Sequence, residues 1–239
     1  MSYQPQYLKV DFSEKDAAKA LGAQWDRVIG LWFIPARVQG DARRALLERF
    51  AGVACSRPSG LPSGDVAPNW CFPGEDRAFG GNGLFVDLVP QGSWFKNARS
   101  AISPEHWHAV RTVVLRRTGK PARCEVCGTE AGGDRAMDCH ERWEFTTMGR
   151  PTQTLKRLMV LCKPCHEATH IGFAQTQMRG GIATEHLAEV NRWTMDQALD
   201  HIEAAFDLWE QRNRRVWVLD LGILERAGVT LACPDKIAP

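Results

Sequence analysis

Four cysteines of the chain occur in two identical spacings that suit a metal ion. They form two C-x-x-C pairs, Cys124 with Cys127 and Cys162 with Cys165. Structural zinc takes four thiolate or imidazole ligands in a tetrahedron, and each C-x-x-C turn offers two thiolates on one side of the ion. The 34 residues between the pairs exceed the roughly 15–20 of a simple zinc ribbon. The spacing therefore predicts one structural zinc, with an inserted unit between its two turns.

Three histidines within and after this insertion are suited to hydrolytic chemistry. His140 can accept a proton from water near neutral pH, because the unperturbed pKa of imidazole is about 6.5. His166 and His170 are four residues apart, so on a helix they share one face and can hold one cation. Hydrolysis of a phosphodiester bond needs an activated water, a cation on the phosphate and help for the leaving oxygen. These residue types predict such a site.

The segment 124–170 resembles the zinc-braced members of the HNH nucleases, also called the ββα-metal or His-Me finger family. Cys139-His140 stands where that family carries a metal ligand followed by its catalytic histidine, and residues 157–166, RLMVLCKPCH, match its closing pattern. The two helix histidines are similar to those of the colicin-type DNases. The resemblance implies His140 as catalytic base, a single divalent cation (Mg²⁺, Mn²⁺, Ni²⁺ or Zn²⁺) and DNA as substrate, in restriction, phage defence or mobile-element biology.

Two departures from the family pattern leave the ligand set open. Cys139 stands where the family has Asp or His, and Asp138 lies one residue earlier, on the opposite face of a regular strand. Either Asp138 binds the cation from a bulged hairpin, or Cys139 binds it, or only the two helix histidines do. Arg157 replaces the family's asparagine that pins the hairpin. A zinc-braced protein that binds DNA without cutting it is therefore a second hypothesis. A redox-active C-x-x-C protein, the third, leaves the ordered histidines unexplained.

The distribution of charge favours an anion-binding face in the middle of the chain. The net charge is only +2, but residues 94–123 hold seven Lys or Arg against one Glu, a net +6, whereas residues 185–239 carry a net −4. The loop 93–100, SWFKNARS, mixes aromatic, amide and cationic groups that can stack bases and hold phosphates. The predicted DNA contacts are Lys96, Asn97, Arg99, Arg142 and Arg157.

Composition divides the chain into three parts of an expected α+β fold. Residues 1–52 predict a small βαββ unit, and residues 53–80 are rich in Pro, Gly and Ser, which is typical of a linker. Residues 81–239 then carry the zinc-braced ββα-metal nuclease core flanked by helices, with a strand predicted over 84–89.

The first unit also resembles a known domain. Its YLKV, WD and WFIP segments are similar to a small domain of unknown function that recurs on plasmid primases, topoisomerases and DNA-mobilising proteins. The resemblance implies an accessory module that binds nucleic acid or a protein partner.

Composition also bounds the class of protein. Hydrophobic residues make up 44% and charged residues 24%, as in ordinary globular proteins. No apolar run approaches the roughly 20 residues of a membrane span. The first residues lack a basic segment followed by an apolar one, so we expect no signal peptide and a cytoplasmic location. In that reducing compartment clustered cysteines favour metal over disulfides. The sequence leaves the oligomeric state open, with a homodimer among the options.

Overall fold

The fold is mixed α+β, as the sequence predicts, with two separate sheets and two separate apolar cores. In this computed structural model the described residues are 6–26, 31–50, 52–53, 58–132 and 136–231.

The N-terminal unit is a four-stranded sheet with two helices. Its elements are β1 (Gln6–Leu8), α1 (Lys15–Ala20), β2 (Gln24–Asp26), β3 (Leu31–Ile34), α2 (Gly40–Arg49) and β4 (Gly52–Val53). The strands lie in the order β2-β3-β1-β4, and all three pairs are antiparallel. Leu8, Ile34 and Leu46 are fully buried between sheet and helices. The predicted βαββ order is present, followed by α2 and β4.

The larger unit places a three-stranded sheet among helices. Its elements are α3 (Ala98–Ala101), α4 (Pro104–Arg116), β5 (Met137–Thr146), β6 (Thr152–Cys162), α5 (Lys163–Thr169), α6 (Ile171–Thr176), α7 (Gly180–Asn191), α8 (Met195–Asn213), β7 (Val218–Asp220) and α9 (Gly222–Glu225). The long strands β5 and β6 are antiparallel, and β7 lies parallel to β6. Pro164, in the first turn of α5, suits a helix start, so α5 follows β6 directly. None of the described helices is both long and apolar enough to cross a membrane.

The described part of the predicted linker, residues 58–80, packs against the larger unit. It has no helix or strand, but Leu61, Val66 and Phe72 are buried in the larger core. Glu75 accepts hydrogen bonds at 2.7 and 3.0 Å from Arg117, and both side chains are fully buried. A few apolar side chains and one buried ion pair thus hold a segment whose composition is typical of a linker.

The strand predicted over 84–89 is wrong, although the burial that motivated it is present. Residues 84–88 are all buried, but three of their backbone N–H groups bond to side chains and to a helix end rather than to a neighbouring strand. The acceptors are Asn191 Oδ1 for Leu84 (2.9 Å), His201 Nε2 for Val86 (3.0 Å) and the Thr169 carbonyl for Asp87 (3.0 Å). An apolar run therefore lies among helices without joining a sheet, because other acceptors satisfy its donors.

Candidate metal centre and adjoining cavity

The four cysteines of the two C-x-x-C pairs converge on one point. The Sγ atoms of Cys124, Cys127, Cys162 and Cys165 all lie within 4.8 Å of one another. The Cys127 and Cys162 sulfurs are 3.5 Å apart, and tetrahedral zinc with sulfur at 2.3 Å needs about 3.8 Å. All four thiols are free of disulfides. The predicted clustering is confirmed, and the donor set fits a structural metal ion.

Two backbone segments bring the cysteines together. Cys162 ends β6 and Cys165 lies in the first turn of α5. The turn 124–127 docks on β6 through Glu125, whose N–H donates to the Val160 carbonyl and whose carboxylate accepts the Val160 N–H, both at 2.8 Å. The insertion between the two cysteine pairs is mainly the β5–β6 hairpin, so a metal ion here would fix the hairpin to α5.

Two side chains outside the C-x-x-C pairs contact the sulfur atoms. Thr129 Oγ1 lies 3.3 Å from Cys127 Sγ, and His186 Nε2 lies 3.2 Å from Cys165 Sγ. Towards a thiolate both groups are donors, and such outer contacts orient metal ligands. His186 comes from α7, 21 residues after Cys165, and no spacing rule links it to the cysteines. Sequence alone therefore offered no signal for it.

His140, His166 and His170 form a second cluster. Their ligand nitrogens lie within 4.8 Å of one another, and the ring centroids are 4.7–5.3 Å apart. His140 lies on β5, His166 on α5 and His170 at the C-terminal cap of α5. Strand and helix thus bring together the three histidines that the sequence singles out.

The protonation of His140 and His170 favours metal binding. His140 Nε2 is buried and has no hydrogen-bond partner among the described residues. Burial, with the charges of the neighbouring histidines, lowers the pKa of His140 well below its usual value. Burial also lowers the pKa of His170, to about 4. Neutral imidazoles with free lone pairs are the form that binds a cation.

The strand register separates Asp138 from Cys139. The pairing of β5 with β6 is regular from residue 137 to 142, and its shift comes only between Arg142 and Trp143. Asp138 and His140 therefore project from one face of the sheet and Cys139 from the other. Asp138 Oδ2 lies 3.1 Å from His166 Nδ1, and this hydrogen bond lowers the pKa of Asp138.

Cys139 has a different environment from Asp138. It packs against the larger apolar core, and burial raises the pKa of its thiol. A carboxylate rather than a thiol thus stands beside the histidines, and the regular strand places it there without a bulge.

A cavity of about 1040 Å³ opens beside the histidine cluster. The predicted DNA contacts Lys96, Asn97 and Arg99 line it, together with Arg111 and Lys163. The Asn97 side chain is also the cap of α3, where it accepts the Ser100 N–H at 2.8 Å. The basic stretch 94–123 therefore contributes three of its cations to this one cavity.

Arg142 and Arg157 do not line this cavity, in contrast to their prediction as DNA contacts. They are only 9% and 4% exposed. Arg142 lies 3.8 Å from Asp87, and Arg157 donates to the Gly81 carbonyl at 3.2 Å. Both guanidinium groups therefore tie the hairpin to residues 81–87, because the buried backbone and carboxylate there need charged or donor partners.

Comparisons with known proteins find similarity in the N-terminal unit. Residues 6–48 match the family described as "Domain of unknown function (DUF5710)". A segment of 32 residues is 59% identical to the DNA primase TraC of Escherichia coli, and this match covers 13% of the chain but only 3% of the primase. No solved structure matches the chain. The N-terminal unit is thus similar to a segment of a DNA primase.

Proposed function

We propose that this protein is a metal-dependent endonuclease of the HNH type that hydrolyses phosphodiester bonds in DNA. The observation that carries the proposal is the convergence of three imidazoles at the edge of a cavity with cationic lining. The similarity of the N-terminal unit to part of a DNA primase supports a nucleic-acid substrate, by association alone.

Each residue of the site has its own task. When bound, a divalent cation would stabilise charge on the phosphate and lower the pKa of a nearby water. His166 and His170 hold that cation. Asp138 accepts the Nδ1–H of His166, which leaves Nε2 of that ring free for the ion. His140 accepts a proton from the attacking water through Nε2, which has no hydrogen-bond partner among the described residues.

His140 has a second candidate role as a third ligand of the same cation, because one of its ring nitrogens lies within 4.8 Å of a ring nitrogen of His166 and of His170. A His140→Ala protein that still binds the cation but does not cut DNA identifies a base. A His140→Ala protein that loses the cation identifies a ligand.

The donor set bears on the identity of the cation. Imidazoles suit Zn²⁺ or Ni²⁺ better than Mg²⁺, which prefers oxygen ligands. Cys139 projects from the other face of β5, so we leave its sulfur out of the ligand set.

We also propose that Cys124, Cys127, Cys162 and Cys165 hold structural zinc. Cys162 and Cys165 flank the β6–α5 junction, and Cys165 directly precedes His166. Zinc there would therefore fix α5 against the hairpin and keep His166 near His140.

Cleavage of supercoiled plasmid tests the proposed activity. We expect nicking or linearisation with Mn²⁺, Ni²⁺ or Zn²⁺ and none with EDTA. His166→Ala should lose at least about 100-fold in rate, as for other groups essential to acid–base and metal catalysis. His108→Ala, a histidine outside the cavity lining, serves as the matched control and should cut like the wild type.

A folded wild-type protein that binds DNA but cuts it with none of these cations would favour the second candidate function, a zinc-braced protein that binds DNA without cutting it. Arg157 is the observation behind that candidate, since it stands at the family's asparagine position and is buried.

A further inference from the structure

Aromatic side chains form one wall of the cavity beside the histidines. Trp94 and Phe173 line it with 55% and 69% of their surface exposed. Trp209 and Phe206 line it as half-buried neighbours. Exposed apolar side chains grouped at one place mark a binding surface. The Phe173 N–H donates to the His170 carbonyl at 2.9 Å, so this aromatic wall begins next to the candidate cation site.

The Trp94 ring is held in place before any ligand arrives. Its Nε1–H donates to the Val89 carbonyl at 2.9 Å, and the same oxygen accepts the Trp209 Nε1–H at 3.1 Å. The polar edge of the exposed indole is therefore satisfied by the protein, and its apolar ring remains available. A ring that is already fixed loses little conformational entropy when a ligand stacks on it.

The acidic and basic side chains that line the cavity differ in whether they have ion-pair or hydrogen-bond partners in the protein. The acids have protein partners: Asp87 pairs with Arg212, Glu167 with Arg179 and Asp138 with His166. Glu141 accepts backbone N–H groups of Arg99 and Ala98. Lys96, Arg99 and Lys163 line the same cavity, and none forms an ion pair with a carboxylate in the described ranges. The ligand that suits these surroundings has anionic groups and exposed aromatic faces.

We infer that this cavity binds single-stranded or locally unpaired DNA, with bases stacked on Trp94 and Phe173 and phosphates near Lys96, Arg99 and Lys163. An intact duplex can meet the cations, but its base faces are covered by neighbouring pairs and do not reach the aromatic wall. The volume of about 1040 Å³ is at the upper end of the roughly 300–1,000 Å³ of small-ligand sites, which leaves room for more than one nucleotide. The role of that strand as substrate rests on the proposed nuclease function.

Binding measured without catalysis tests the inference. Fluorescence anisotropy of the zinc-loaded protein, without added divalent cations, compares a labelled mixed-sequence oligonucleotide with its blunt duplex, for the wild type, Trp94→Ala, Phe173→Ala and Trp94→Phe. We expect the wild type to prefer the single strand. Each alanine variant should weaken single-strand binding about 5- to 100-fold, as for loss of one stacked base, with little change for the duplex. Trp94→Phe should recover most of the affinity because it keeps a ring.

Phe95→Ala is the matched control, since Phe95 is 83% exposed and adjacent in sequence but does not line the cavity. The inference is overturned if the wild type binds the duplex as tightly as the single strand, or if Trp94→Ala behaves like Phe95→Ala. It is also overturned if Trp94→Ala weakens both DNA forms equally. Because no cleavage is measured, a failed nuclease assay with intact single-strand preference would refute the proposed activity and leave the binding inference standing.

Discussion

Asp138 and Cys139 are neighbours whose roles the fold separates. Residue types and spacing predict the cluster of four cysteines and the pairing of His166 with His170, because C-x-x-C turns and i, i+4 pairs are local patterns. The resemblance to the HNH nucleases is what places His140 with them. The choice between Asp138 and Cys139 depends on strand register, where a shift of one residue exchanges the two faces. His186 contacts the cysteine cluster from a distant helix and has no local pattern at all.

Substitution of these two neighbours tests the assignment. Asp138→Asn should lower the affinity for the cation at the histidine cluster and slow cleavage by about 10- to 100-fold. This is the usual effect of losing a carboxylate that orients a histidine ligand. Cys139→Ala should leave the cation affinity near that of the wild type. Cleavage rates over a Mn²⁺ titration measure both effects. Loss of the second cation in Cys139→Ala alone would show that the thiolate is the ligand.

Strand β6 is the element on which the site depends. Carboxylates from elsewhere in the chain accept hydrogen bonds from backbone N–H groups along one edge of this strand. The Leu158 N–H donates to Glu75 Oε1 at 3.0 Å, and the Val160 N–H donates to Glu125 Oε2 at 2.8 Å. Acceptors on that edge occupy donors that could otherwise pair with another chain. The composition of residues 53–80 is typical of a linker. Composition does not reveal which few side chains of the segment contact residues far along the chain, so it does not predict that the segment packs on the larger unit.

Glu75→Gln is expected to destabilise the larger unit. The buried guanidinium of Arg117 would lose its counter-charge, and breaking a buried pair from one side typically costs about 3–5 kcal/mol. Urea unfolding followed by tryptophan fluorescence gives the free energy of unfolding. Asp65→Asn, which removes the exposed partner of Lys120, is the control and should leave the unfolding midpoint unchanged. A Glu75→Gln protein as stable as the wild type would contradict the importance of the pair.

At the scale of the whole molecule, two units have separate cores, and the second begins before residue 80. The first core contains none of the residues of the second, so the N-terminal unit and the histidine site are built independently. Local hydrophobic patterns predict the presence of both units. The place where the second begins depends on Phe72, which is buried in the larger core, and on Glu75, which bonds to Arg117 at the end of α4 and to Leu158 in β6.

Two truncations test this boundary. A protein of residues 58–239 should fold and keep the plasmid cleavage proposed for the full chain, because it retains the entire larger core. A protein of residues 81–239 should melt at a lower temperature or be insoluble, since it leaves Arg117 unpaired and exposes the site of Phe72. Circular dichroism and plasmid cleavage compare the two. Equal stability of both proteins would show that residues 58–80 act as a linker and do not stabilise the larger unit.

The measurement that tests the central claim most directly is the metal content of the protein alongside its cleavage rate. After equilibration with Zn²⁺ and Mn²⁺ and removal of free ions, elemental analysis should find two metal ions per wild-type chain, one zinc on the cysteines and one cation at the histidines. The combined His140→Ala, His166→Ala, His170→Ala protein should keep the zinc, lose the second ion and cut no DNA. Cleavage by that variant, or a cutting wild type with only the cysteine-bound zinc, would contradict the account.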